Sequence, residues 1–161
     1  MKKGRSDKIV IAAVGKLRSR EWQAVQADYL QRIQRYSNVR LVEVKDSVGR
    51  GYPDTVAMRR EGEQLLKASA TARQRILLTS DGKEMSSEGL AAFIQVQMET
   101  YDQIAFLIGG PLGFADEVSK AADARLSLSR LTFPHELARI IFLEQLYRAF
   151  TILRGHKYHK A

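Results

Sequence analysis

Three histidines, His135, His156 and His159, are the side chains of this chain that exchange a proton near neutrality without a perturbed environment. Two of them stand in a basic, aromatic ending, Arg154-Gly155-His156-Lys157-Tyr158-His159-Lys160. Proton transfer is the chemistry such a segment offers, with a tyrosine beside it that can stack or hydrogen-bond. The spacing His156-x-x-His159 is half of a metal site. With no cysteine in the chain and no clustered carboxylates nearby, no metal is expected. His135 follows Pro134 at the start of a helical stretch, where a structural and a catalytic role stay equally open.

A second chemical feature consists of loops rather than reactive side chains. Ile108-Gly109-Gly110-Pro111-Leu112-Gly113 follows an apolar run. Leu126-Ser127-Leu128-Ser129-Arg130-Leu131-Thr132-Phe133-Pro134-His135 leads into a long helical stretch. Strand, loop and helix, twice in succession, build a crevice at the carboxyl ends of parallel strands. Leu78, Ile108, Leu128, Leu131 and Phe133 would stand there beside main-chain groups freed by Gly109, Gly110 and Ser129. Aliphatic walls with main-chain hydrogen bonds suit a flat heteroaromatic ring. The familiar phosphate loops are absent. A dinucleotide fingerprint would need glycine where Pro111 and Phe114 stand, and Gly15-Lys16 is followed by Leu17 instead of Ser or Thr.

The elements that must position these groups follow from periodicity. Apolar or alternating runs predict strands at 8–14, 39–45, 75–80, 104–108 and 125–129. Helices are expected at 19–36, 54–70, from Ser86 or Ser87 to about 101, at 113–124 and at 134–154. The segment 46–53 reads as a loop and Asp81-Gly82-Lys83 as a turn. Pro134 fits a first helical position and Gly155 a helix end. Strands alternating with helices imply an α/β fold, a mostly parallel sheet with helices on both faces. The last helix is apolar nearly all round, from Ile140, Ile141, Phe142 and Leu143 to Leu153. A two-fold homodimer is the simplest way to cover such a terminal helix.

Length and charge narrow the partners. At 161 residues the chain is one domain, 8–161, with a basic leader at 1–7 and a short tail at 155–161. A net charge of +8 favours a polyanion: RNA, DNA or an anionic membrane surface. The absence of cysteine excludes disulfides, thiolate metal sites and cysteine nucleophiles, and fits a reducing cytoplasm. No apolar stretch approaches a membrane span, and the run 9–14 is too short for a signal peptide core. A soluble, cytoplasmic protein is expected.

The two loops, together with Glu144-Gln145-Leu146-Tyr147-Arg148-Ala149 and Tyr158-His159-Lys160, resemble the RlmH family, and the resemblance runs from about Lys8 to Lys160. Val14-Gly15-Lys16-Leu17 and Ser86-Ser87-Glu88-Gly89-Leu90-Ala91 belong to it too. In order, these motifs are far more specific than the glycine-proline segment alone. The resemblance implies a SPOUT-type α/β knot, with a C-terminal trefoil, that methylates N3 of a pseudouridine in helix 69 of 23S rRNA, on the assembled ribosome. It implies S-adenosyl-L-methionine as cofactor and a homodimer with cofactor sites near the subunit interface. Leu78, Gly109 and Leu128, Ser129, Arg130, Leu131, Thr132 and Phe133 fall where that family holds the cofactor. The chain departs from the family in its extra leader and in Glu136, a position that is often glutamine.

A pyrimidine N3–H is a poor nucleophile while protonated, so a base or a stabiliser of the anion is required. Tyr158 and His159 are the candidates, with the choice between them open. Lys16, Arg18 and Arg20 after the first strand, and Arg154, Lys157 and Lys160 in the tail, are candidates for phosphate contact. Arg148 either pairs with Glu144 one helical turn away or reaches RNA or a second subunit. Two rival readings are a non-catalytic RNA-binding module of the same fold and an ordinary nucleotide-binding enzyme that takes NAD.

Overall fold

The structure, a computed structural model, describes residues 6–160. Its centre is a parallel sheet in the order β2-β1-β4-β3-β5. The strands are β1 (Ile9–Val14), β2 (Val39–Val44), β3 (Gln74–Glu84), β4 (Ile104–Ile108) and β5 (Ala124–Ser127). The helices are α1 (Arg20–Gln34), α2 (Asp54–Ala68), α3 (Ser87–Thr100), α4 (Asp116–Ala121) and α5 (His135–Leu153). β1 and β4 are buried throughout, which is why their sequences are apolar without alternation. Ile9, Ile11 and Ala13 face one layer with Ile33 of α1, Ile94 of α3 and Phe142 of α5. Val10, Ala12 and Val14 face the other, with Leu65 of α2 and Val118 of α4. Helices therefore cover both faces, as expected.

Side-chain caps set two helix starts. Ser19 Oγ accepts from the Trp22 N–H at 3.0 Å, and Ser86 Oγ from the Gly89 N–H at 3.0 Å. Ser86 is thus the cap of α3, and Ser87 points instead to Gln145 of α5, 2.9 Å away.

Four expectations need correction. Asp81-Gly82-Lys83 is not a turn: β3 runs on to Glu84, and Leu126 of β5 partners both Leu78 and Lys83 across a register break. Gly82 is there because a Cβ would come within 2.6 Å of the Leu126 backbone. The helix expected at 113–124 shrinks to Asp116–Ala121, since Ala115 and Ala122 at its two ends are extended. The fifth strand ends at Ser127. Pro134 caps α5 with an extended ψ of 140° and leaves His135 as the first helical residue. Of the leader, residues 1–5 lie outside the described residues, while Asp7 accepts from Arg40 Nε at 2.6 Å.

α5 owes much of its apolar circumference to neighbours in the same chain. Tyr36, just after α1, stacks its ring on Phe150 at 5.7 Å, and β4 meets α5 where Phe106 and Phe142 lie 4.8 Å apart. α3 covers another side with Leu90 and Ile94. A half-exposed strip remains at Leu137, Ile141, Gln145 and Arg148, one turn apart along the helix. No described helix is long and apolar enough to cross a membrane.

Candidate active site

The carboxyl ends of β3, β4 and β5 frame a cleft of about 270 Å³. Leu78, Thr79 and Ser80 come from β3, and Ile108 ends β4 before the Gly109-Gly110-Pro111 turn. Leu128, Ser129, Leu131, Thr132 and Phe133 form the opposite wall, closed by His135 and Ala138 of α5. The glycines are required by space. A Cβ on Gly109 would stand 3.2 Å from the Gly113 carbonyl and 3.3 Å from the Phe114 ring. Gly113 takes a φ of +81°, and its N–H bonds to the Gly110 carbonyl at 3.1 Å. The tight turn and the binding wall are therefore one object. Two serines shape the second loop: Ser127 Oγ donates to the Ser129 carbonyl at 2.9 Å, and Ser129 Oγ accepts from the Leu131 N–H at 3.0 Å.

Of the residues expected around a cofactor, Leu78, Gly109, Leu128, Ser129, Leu131, Thr132 and Phe133 line this cleft. Arg130 does not; its side chain points outward, 88% exposed, toward Glu84 at 4.0 Å. Thr79, Ser80, Phe114 and Ala138 were missed by sequence reasoning. The first two follow Leu78 along the strand that pairs with β4, and that pairing was the signal available for them.

Arg139, also missed, anchors α5 to the strand ends. It is 1% exposed, and its Nη2 donates to the Val14 and Gly15 carbonyls at 3.0 and 2.8 Å. Nη1 donates to Glu43 at 2.6 Å. Burial pulls the guanidinium below its ordinary pKa, and Glu43 opposes that pull. A lone arginine on the apolar helix face was the legible sign. Glu136, in the first turn of α5, accepts the Arg18 backbone N–H at 3.1 Å and so ties the β1–α1 loop to the cleft wall.

The tail is packed, not loose. Tyr158 Oη donates to Glu144 Oε1 at 3.1 Å, and its ring meets Tyr147 edge-on at 4.7 Å. Arg148 pairs with Glu144 at 2.6 Å, lies over the Tyr158 ring at 4.9 Å and donates to His159 Nδ1 at 3.1 Å. His159 Nε2 is 2.7 Å from Glu88. A guanidinium only donates, so Nδ1 accepts and Nε2 carries the proton given to Glu88. Burial first, then Tyr29 and Glu144, push the Tyr158 phenol well above its ordinary pKa. In this structure Tyr158 Oη is engaged as a hydrogen-bond donor. The hydrogen bond from His159 is the chief reason the Glu88 carboxyl sits below its usual range.

Tail and cleft do not meet within one chain. Ala138 on the cleft wall and Arg148 in the tail network stand roughly 15 Å apart along α5, at about 1.5 Å of rise per residue. Lys16, Arg18 and Arg20 are exposed near the end of β1, and Arg154, Lys157 and Lys160 are exposed at the far end of α5. Arg148 is half-buried, with its charge engaged by Glu144. Among the described residues no group of three or more His, Cys, Asp or Glu is arranged to hold a metal ion.

Residues 8–159 match the sequence profile of a family described as "Predicted SPOUT methyltransferase". The chain belongs to that family. A methyl donor is implied for such an enzyme. The chain is 37% identical to a protein of Ruminiclostridium cellulolyticum named ribosomal RNA large subunit methyltransferase H, over 95% of this chain and 99% of that one. A protein of the same name from Halothermothrix orenii is 42% identical over the same shares. Among solved structures, a probable methyltransferase from Bordetella pertussis Tohama I has the same fold, with a TM-score of 0.56 at 12% identity over 89% of this chain and 95% of that chain. A probable methylase family protein from Haemophilus influenzae gives 0.55 at 14% identity, over 92% and 67%.

Proposed function

We propose that this SPOUT methyltransferase acts on large-subunit ribosomal RNA, transferring a methyl group from S-adenosyl-L-methionine to N3 of a pseudouridine in helix 69 of 23S rRNA. The observation that carries the reading is the cleft at the ends of β3, β4 and β5, built by the loops that carry the family resemblance. Full-length similarity to proteins named for large-subunit rRNA methylation supports the substrate, as does the net charge of +8. The ribosome places the work in the cytoplasm.

The cleft fits an adenosine-bearing donor. Leu78, Ile108 and Leu128 give aliphatic surfaces for a flat ring, and the Gly109-Gly110 and 128–133 segments bring main-chain polar groups beside it. Gly109 keeps that wall thin, since any Cβ would crowd Gly113 and Phe114. When bound, the donor supplies an electrophilic methyl group on its sulfonium sulfur.

The protein must supply alignment and proton management. Tyr158, a neutral donor, hydrogen-bonds a pyrimidine carbonyl next to N3 and stabilises the developing anion. His159 accepts the N3 proton at Nδ1, the nitrogen that Arg148 otherwise occupies, while Nε2–H stays on Glu88 and steadies the imidazolium. Arg148, released from that nitrogen, adds positive charge beside the reacting imide.

The separation along α5 is bridged if a second copy brings its tail to the first copy's cleft, in a homodimer packed on the Leu137–Ile141–Gln145 strip. Calorimetry with S-adenosyl-L-methionine tests the reading: the wild type should bind, and Gly109→Val should lose binding while remaining folded. No heat from the wild type at high concentration would favour a non-catalytic RNA-binding module instead.

A further inference from the structure

We propose that a second cleft, at the carboxyl ends of β1 and β2, is a phosphate subsite that grips the RNA backbone flanking the target base. This rests on the reading of the protein as an RNA methyltransferase. The cavity measures about 440 Å³, larger than the donor cleft, and no aromatic side chain lines it. It therefore lacks the slot a nucleobase or a ring cofactor would need.

Its charges are unequal in a useful way. The two carboxylates on its wall are already engaged: Glu43 holds Arg139 at 2.6 Å, and Asp46 holds Arg50 at 3.1 Å. Lys16, Arg18 and Lys45 are exposed there, and among the described residues none of them has an acidic partner within 4.0 Å. Unpaired cations around a concavity floored by buried Leu17 and Val44 concentrate positive potential on a bound anion.

The cleft is also rigid. Arg139 clamps the Val14 and Gly15 carbonyls beneath it. The loop that follows β2 hangs from the buried Glu61 carboxylate, which accepts the Ser47 and Val48 N–H groups at 2.8 and 3.1 Å. A preformed site loses little on ordering when it binds. Position completes the case. β1 lies beside β4, so at about 4.8 Å per strand the cleft and the donor pocket sit roughly 12 Å apart. The Arg18 N–H bond to Glu136 links their rims.

The test is the salt dependence of binding to intact bacterial ribosomes, measured alongside steady-state methylation. Lys45→Gln alone and Lys45→Gln with Lys16→Gln change exposed, unpaired residues outside the donor pocket and the tail. The double variant should bind about tenfold more weakly, with a slope of log affinity against log salt shallower by about one to two. KM for ribosomes should rise while kcat, donor affinity and melting temperature hold. The single variant should show a smaller loss in the same direction. If the wild type methylates rRNA and both variants match it in slope and KM, the phosphate subsite is overturned and the enzyme reading stands. If the wild type itself neither binds ribosomes nor methylates rRNA, the enzyme reading fails and the subsite falls with it.

Discussion

The Tyr158 hydroxyl donates to Glu144 Oε1 across 3.1 Å, joining the end of the chain to the middle of its last helix. Burial and these neighbours raise the phenol's pKa, so the folded value lies above the unfolded one. Docking of Tyr158 is thus fully present below the ordinary tyrosine value, about 10, and is lost only as pH climbs through the higher folded value. A tyrosinate absorbance titration should show Tyr158 still protonated at about pH 10, found by difference against Tyr158→Phe. That variant should slow methyl transfer about 10- to 100-fold and leave donor affinity intact. Loss of donor binding would remove Tyr158 from the acceptor side of the site.

Glu88 gives the opposite sign. Its pKa is depressed, chiefly by His159, so the contact contributes above the ordinary carboxylate value of about 4.3 and fades as pH falls through the lower folded value. NMR relaxation should show residues 156–160 growing mobile as pH falls below the ordinary carboxylate value of about 4.3. Glu88→Gln should abolish that acid transition.

Arg139→Ala removes the donor to two buried carbonyls and the partner of Glu43. It should cost about 3–5 kcal/mol of stability, read as a lower urea midpoint. Arg139→Lys should recover only part, because an ammonium cannot bridge both carbonyls and the carboxylate in one plane.

Gly82→Ala places a methyl group 2.6 Å from backbone that cannot move away, in contrast to the flexible neighbour of Gly89. A loss of about 1–3 kcal/mol or more is expected in chemical denaturation, with Gly89→Ala milder.

Much of the architecture was legible because periodicity reports burial. The unbroken apolar runs of β1 and β4 announced a parallel sheet covered on both sides. Gly82 was misread because a glycine that admits a crossing strand looks the same in sequence as one that makes a turn. For the same reason the overlap of β5 on β3 was invisible. The resemblance brought Leu78 and the 128–133 segment together, and all of them line one cleft except Arg130, whose side chain points outward. Thr79 and Ser80 were hidden because no motif marks them; they follow Leu78, the last β3 residue paired with β4. Glu88 joins the tail only through a long-range contact, and nothing local to it signals that.

The most direct measurement is mass spectrometry of helix 69 oligonucleotides from 23S rRNA, using ribosomes purified from a strain lacking this protein. Incubation with the wild type and S-adenosyl-L-methionine should add one methyl mass to a pseudouridine, at N3, and Gly109→Val and His159→Ala should each suppress it. An unmodified helix 69 after incubation with folded, donor-bound wild type, or a methyl group on another nucleotide, would contradict the assignment.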